Sequence, residues 1–221
     1  MDLVHFNQGV AANAVFNRYL AVAKVEDIDG LELLPLFLSV RAAIRAHVLF
    51  MKSEHAEDGE AVWQEARRYF DLAGRLIKPK APMLVAIGGM SGTGKSVLAR
   101  GLAGLVEPPP SNTAQRVLAQ GCSVVLDAAF LQEAERAEPA SLARKHGARF
   151  VGLFLTADLA ARLARIKQRK SDASDATRDV VLMQETFTIG AVDWHMVDAS
   201  GTPDQSLRSA RVVLEPAPGE G

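Results

Sequence analysis

The stretch "MLVAIGGMSGTGKSVLARGLAGLV", residues 83–106, decides how this chain is read. An unbroken apolar run, Met83 to Ile87, is followed by Gly89, four further residues, then Gly94, Lys95 and Ser96, and then by a helical apolar pattern. This is the spacing of a phosphate-binding loop between a strand and a helix. The glycines let the backbone turn its N–H groups inward around an anion, and the helix beginning near Lys95 adds its dipole. Lys95 is placed to reach the β and γ phosphates of a nucleotide and Ser96 to hold Mg²⁺. Gly89, Met90, Ser91, Gly92, Thr93, Gly94, Lys95, Ser96 and Val97 are therefore the candidate nucleotide-binding residues. A glycine-rich turn that binds nothing is the bland alternative, but it needs one or two glycines and has no use for Lys and Ser at these positions.

Outward from this loop the pattern is regular. Apolar runs at 83–88, 123–130 and 150–156, with a weaker one at 194–200, alternate with helical stretches at 95–106, 112–120, 131–146, 158–169, 177–187 and 204–213. Continuous apolar strands separated by helices predict an α/β fold, a parallel sheet covered on both faces. Upstream the rhythm differs. Residues 3–22, then a segment with Leu34, Phe37, Leu38, Ile44, Val48 and Met51, then one with Val62, Ala66, Tyr69, Phe70, Ala73 and Ile77 read as three amphipathic helices. "SEHAEDGE" supplies polar loop residues and first-turn acids before the third, and "KPKAP" ends it. The expected organisation is an all-α segment at 1–78 and an α/β domain at 83–215, with a frayed tail, "EPAPGEG".

Composition narrows the function classes. With 221 residues, 48% hydrophobic and a net charge of −1, the chain can bury a substantial core and has no global positive field to recommend nucleic acid or an anionic membrane. The single cysteine, Cys122, fits a reducing compartment. No signal peptide is read at "MDLVHFNQ", and Glu32, Pro35, Arg41 and Arg45 interrupt the most apolar stretch, so no membrane span and a cytoplasmic location are expected.

Beyond the loop, Asp127 closes the run "SVVLD". At the carboxyl end of a parallel strand an acid lies where such sheets bind ligands, and it is a candidate to orient Mg²⁺ or an acceptor hydroxyl; a solvated strand-end acid is the other reading. Arg162, Arg165 and Arg169 recur at helical spacing before the polar segment "KSDASDAT". Arginines so placed can cover a transferring phosphoryl group, or can simply form a solvated face. Trp194, His195 and Cys122 read as packing residues, and no His, Cys or carboxylate spacing suggests a zinc held by the protein alone.

The pieces "GGMSGTGKSVLARGLA", "GCSVVLDAAF", "LARIKQRKSDASDAT" and "VDWHMVDASG", in that order, resemble the small-molecule P-loop kinases of bacteria, relatives of gluconate kinase and of polynucleotide kinase-type folds. The resemblance implies ATP and Mg²⁺ as cofactors, phosphoryl transfer to a small-molecule hydroxyl, Lys95 and Asp127 in catalysis, Ser96 and Asp127 at the metal, Arg165 or Arg169 over the γ-phosphate, and "DASGTP" (198–203) lining the adenine. Residues 10–51 resemble the final helices of an aminoglycoside-phosphotransferase-like domain, which precedes such a kinase in many bacterial proteins.

The chain departs from the pattern twice. The front segment has no nucleotide lobe and no catalytic loop, which leaves it as scaffold or as an interface, including one between copies of this chain. Second, only 32 positions separate Lys95 from Asp127. Relatives place there a second strand and the helices that hold the phosphate acceptor. Because that strand is an edge strand, its loss leaves a four-stranded core and an intact phosphate cradle, while acceptor positioning suffers. A non-catalytic nucleotide-binding module and a slow ATPase are thus the alternatives to a kinase.

Overall fold

A computed structural model of the chain describes residues 1–78, 81–103, 111–168 and 177–215. The end of the helix expected at 95–106, Arg169 with most of the polar segment after it, and residues 216–221 of the tail lie outside the described residues. The chain divides into two compact units, Met1–Ala81 and Pro82–Gly221.

The first unit is all α. It contains α1 (Asp2–His5), α2 (Gly9–Val22), α3 (Val25–Ile28), a 3₁₀ turn (Leu31–Leu33), α4 (Leu34–Ser53) and α5 (Gly59–Leu76). The single helix expected over 3–22 is two helices, because Asn7 takes a left-handed φ of 62° that an α-helix does not admit. Asp58 caps α5, accepting from Ala61 N–H at 3.1 Å. α4 and α5 form a hairpin whose core is Ala42, Ala46, Tyr69, Leu72 and Ala73, with Ser39 donating to the Ala73 carbonyl at 2.9 Å.

The stripe of α4 that the spacing marks as inward is a correction. Phe37 (63% exposed), Ile44, Val48 and Met51 are on the surface, as is Phe70 of α5, while the buried contacts of α4 are its alanines. Small side chains let the two backbones approach closely, so the alanine face packs and the bulky face is left outside. By length and composition alone the stretch Glu26–Ser53 is long and apolar enough to cross a membrane, with a mean hydropathy of 1.6 over its most apolar window.

The second unit carries β1 (Met83–Gly89), α6 (Lys95–Ala103), α7 (Ser111–Ala119), β2 (Val124–Asp127), α8 (Glu133–Lys145), β3 (Arg149–Thr156), α9 (Leu159–Gln168), α10 (Arg178–Gln184), β4 (His195–Asp198) and α11 (Pro203–Leu214). Its sheet is four-stranded among the described residues, in the order β2-β1-β3-β4, with every pair parallel. β1 and β3 are central, β1 buried from Leu84 to Gly89 and β3 from Val151 to Leu155, which is why they read as unbroken apolar runs. β2 forms an edge, in the arrangement expected for a sheet that lacks one outer strand. It is also shorter than the run 123–130. Beyond Asp127 the chain turns away, and Phe130 reaches φ 48°, outside the extended region.

The two faces of the sheet differ. Val85, Ile87, Val151, Leu153, Leu155 and Val197 meet Leu98 and Ala99 of α6 and Ala210 of α11 on one side. On the other, Trp194 is 6% exposed and sits between Phe130 and Phe150, with ring centroids at 5.2 and 5.9 Å. Gly88 and Gly152 make room for it: a Cβ on Gly152 would lie 2.4 Å from the indole, and one on Gly88 3.1 Å from it. Trp194 is thus a packing residue as expected. His195 is not, since it is exposed at the start of β4, whose buried side chain is Val197.

Candidate functional site

The carboxyl ends of β1 and β3 and the amino end of α6 meet at the phosphate loop. β1 runs to Gly89, the loop turns through Met90–Gly94, and α6 opens at Lys95. Gly89 has φ 135°, and a Cβ there would lie 2.5 Å from the Leu155 carbonyl oxygen of β3. Gly92 (φ 82°) is pressed against α9, where a Cβ would meet the Arg162 carbonyl oxygen at 2.8 Å. Gly94 has φ 97° and open space around it. The first two glycines are set by close packing and the third by backbone conformation on the open side of the loop.

Within the loop the Met90 carbonyl is the organising acceptor. It receives Thr93 N–H at 3.3 Å, Thr93 Oγ1 at 2.8 Å and Lys95 Nζ at 3.1 Å. The ammonium is thereby held at the loop, beside the amino end of α6. Its positive charge and the helix dipole together favour an anion.

Asp127 ends β2 in register with Ile87 of β1, and the ladder continues past it through Ala128 N–H to the Ile87 carbonyl (3.3 Å) and Gly89 N–H to the Ala129 carbonyl (3.0 Å). The acid therefore stands at the same sheet edge as the start of the phosphate loop. Ser96, in the first turn of α6, and Asp127 are hard oxygen donors of the kind Mg²⁺ accepts. Among the described residues no group of three or more His, Cys, Asp or Glu could hold a metal by itself. That donor set suits Mg²⁺, which keeps several waters and is bound through one or two protein oxygens together with substrate phosphates.

Next to the loop lies a cavity of about 270 Å³ lined by Gly92, Thr93, Gly94, Val97, Leu155 and Arg165, and closed by Gln168, Ala199, Pro203 and Ser206. Two residues of "DASGTP", Ala199 and Pro203, are thus brought beside the phosphate loop. Ser200 N–H donates to Asp198 Oδ1 at 2.9 Å, and this bond holds the Asp198 carboxyl below its ordinary range. A depressed carboxylate contributes to stability above its unfolded value and loses that contribution as pH falls through its folded value. The turn therefore loses this tie in acid, as the carboxylate is protonated.

Arg165 is committed to backbone. Its guanidinium donates to the carbonyls of Ala199 (2.6 Å), Gly201 (2.9 Å) and, at 3.4–3.5 Å, Ser200, Gly92 and Thr93. It joins the 199–201 turn to the phosphate loop and forms one wall of the cavity.

Three contributors have no signal in the sequence. Gln168 lines the cavity from the end of α9. Gln184 Oε1 accepts the Ser91 N–H at 2.7 Å. Arg136, 2% exposed on α8, donates to the carbonyls of Phe130, Leu131, Ile189 and Ala191 and so fixes the turn after β2. Among charged neighbours in "EAERAEPASLARK" it looks like one more solvated residue. Cys122 is half-buried away from the loop, and burial pushes its thiol up.

Residues 110–188 match the model of the AAA domain family. No curated protein matches the chain. Among solved structures it is similar to a gluconokinase from Sinorhizobium meliloti 1021, at 17% identity over 61% of this chain and 95% of that one, with a TM-score of 0.44. It is also similar to a sugar kinase from Janibacter sp. HTCC2649, at 19% identity over 62% of this chain and 96% of that one, again with a TM-score of 0.44. The match to the AAA domain family begins beyond the phosphate loop and takes in Asp127 at the end of β2.

Proposed function

We propose that the second unit, residues 83–215, binds ATP with Mg²⁺ and is built to pass the γ-phosphoryl group to a hydroxyl of a small molecule. The observation that carries this reading is the phosphate loop itself, with Lys95 folded onto it, opening directly onto the cavity at Ala199–Ser206. In this reading Lys95 neutralises the phosphates, Ser96 and Asp127 hold the metal or the acceptor, and the cavity takes the nucleoside. Bound Mg²⁺ would supply charge neutralisation at the β and γ phosphates. Arg165 acts by bracing the cavity, and Arg169 remains the candidate to cover the γ-phosphate. The loop, the acid and the cavity are compatible equally with a nucleotide-binding module that transfers nothing.

One observation favours slow chemistry: β2 is at the sheet edge and only 32 positions from Lys95, so the acceptor helices of a full kinase have no counterpart in the sequence between them. Transfer depends chiefly on placing the acceptor against the γ-phosphate. The protein is expected to bind Mg·ATP while releasing ADP at below about 1 s⁻¹, the low end of ordinary kinases, with little dependence on added sugars, nucleosides or aminoglycosides. ADP release measured with and without such a panel tests this. Acceptor-dependent turnover above that rate would mean that another part of the chain positions the acceptor, and absence of Mg·ATP binding would end the reading altogether.

The first unit carries no ligand chemistry in this proposal. It is the closing part of an aminoglycoside-phosphotransferase-like domain, and the exposed apolar side of α4 is an interface for a partner or a second copy in the cytoplasm. A chain beginning at Lys80 is expected to keep its affinity for Mg·ADP while becoming less soluble. Loss of that affinity in a folded shortened chain, measured by calorimetry, would assign the first unit a part in binding.

A further inference from the structure

Ser91 is gripped from both sides by the pair of helices that flank the polar segment. Its N–H donates to Gln184 Oε1 of α10 at 2.7 Å, and its carbonyl accepts from Arg162 Nε of α9 at 2.8 Å. Both side chains are buried, Gln184 at 7% and Arg162 at 2% exposure. The same guanidinium pairs through Nη1 with Glu185, the neighbour of Gln184, so the bond that holds the loop also ties α9 to α10. The backbone of Arg162 lies against Gly92, the next loop residue. The loop closes its inner side by itself, through the Met90 carbonyl. Its outer side is closed by α9 and α10.

Packing alone does not account for this arrangement. A buried guanidinium must be desolvated, and Arg162 Nη2 finds no hydrogen-bond partner, so an apolar side chain would fill the same space at less cost. What the two polar side chains supply is a fixed orientation for the peptides on either side of Ser91. A phosphate cradle made of backbone N–H groups works only if those groups already converge, because ordering them on binding subtracts from affinity.

We propose that Gln184 and Arg162 are positioning residues that set the phosphate loop before the ligand arrives, so that α9 and α10 control affinity for phosphate rather than for the nucleoside. This rests on the reading of the loop as a nucleotide site. The effect of either residue is transmitted through Ser91 and Gly92, and it is the same for every ligand that presents a polyphosphate.

The test uses the full chain with Mg·ADP and Mg·tripolyphosphate as probes. Gln184→Leu, which keeps the volume and removes the acceptor, should weaken both probes by the same factor, about tenfold, with a melting temperature lowered by roughly 2–4 °C, the loss of one hydrogen bond. Unchanged affinity, loss confined to ADP, or a loss seen only with a melting temperature lowered well beyond that range would each overturn the proposal. If Gln184→Leu does not fold, Glu185→Gln carries the test. Its side chain is 42% exposed and it loosens Arg162 without touching the loop, so about a threefold loss on both probes is expected, and no loss overturns the proposal. Failure of the unaltered protein to bind either probe defeats the nucleotide reading, whereas binding that the variants leave intact defeats only the positioning role.

Discussion

Lys95→Ala is expected to weaken Mg·ADP binding by about ten- to a hundredfold, since a charge-assisted hydrogen bond is worth about 1.5–3 kcal/mol and each 1.4 kcal/mol is a factor of ten. The lysine opens α6 and its ammonium is held 3.1 Å from the Met90 carbonyl, at the side of the loop where the phosphates would lie. A polyphosphate is a stronger counterpart for the ammonium than the neutral Met90 carbonyl. Half-buried at the start of a helix, it contributes little to the core, and the variant should melt close to the unaltered protein. Calorimetric titration giving the same affinity for both proteins would remove Lys95 from the site.

The largest effect on stability is expected from Gly152→Ala. The added Cβ would lie 2.4–2.6 Å from three atoms of the Trp194 indole, a separation that no real contact tolerates. Neither side yields easily. Gly152 is in β3, paired to β1 and next to β4, and Trp194 is confined by Phe130, Phe150 and Gly88. Overpacking of this kind costs about 1–3 kcal/mol, and the upper end is expected because the strand is central. For a chain of this size that corresponds to a drop in melting temperature of roughly 6–12 °C. Thermal unfolding followed by circular dichroism decides it, and an unchanged midpoint would mean that the indole moves aside freely.

How far the sequence disclosed this molecule varied with the range of the interactions involved. The phosphate loop, the parallel sheet and the acid at the end of β2 were legible because each depends on neighbours in the chain: glycine spacing, unbroken apolar runs, a charge closing a run. The packed face of α4 was not. Its sequence is apolar on both sides, so periodicity finds a stripe but cannot say that Ala42 and Ala46, rather than Phe37 and Ile44, meet α5. Gln184 and Arg136 were invisible for a different reason. Each makes its contacts to backbone atoms far along the chain, Gln184 to Ser91 and Arg136 to Ile189 and Ala191, and a carbonyl or an N–H leaves no residue-specific mark. Arg165 was picked out by its spacing, but the spacing said nothing about the turn at 199–201 that takes up its guanidinium.

The packing of Trp194 also supplies an optical handle. The chain has two tryptophans, Trp63 and Trp194, one in each compact unit. Trp194 is enclosed by aromatic rings, whereas Trp63 is half-buried with the Arg67 guanidinium 5.7 Å from its ring centre, so the two indoles emit from dissimilar surroundings. Trp63→Phe leaves a single tryptophan packed against the sheet of the second unit, and Trp194→Phe leaves one in the helical hairpin. Denaturation traces of the two proteins then report each unit separately, and a single unfolding free energy has meaning for the whole chain only where those traces coincide.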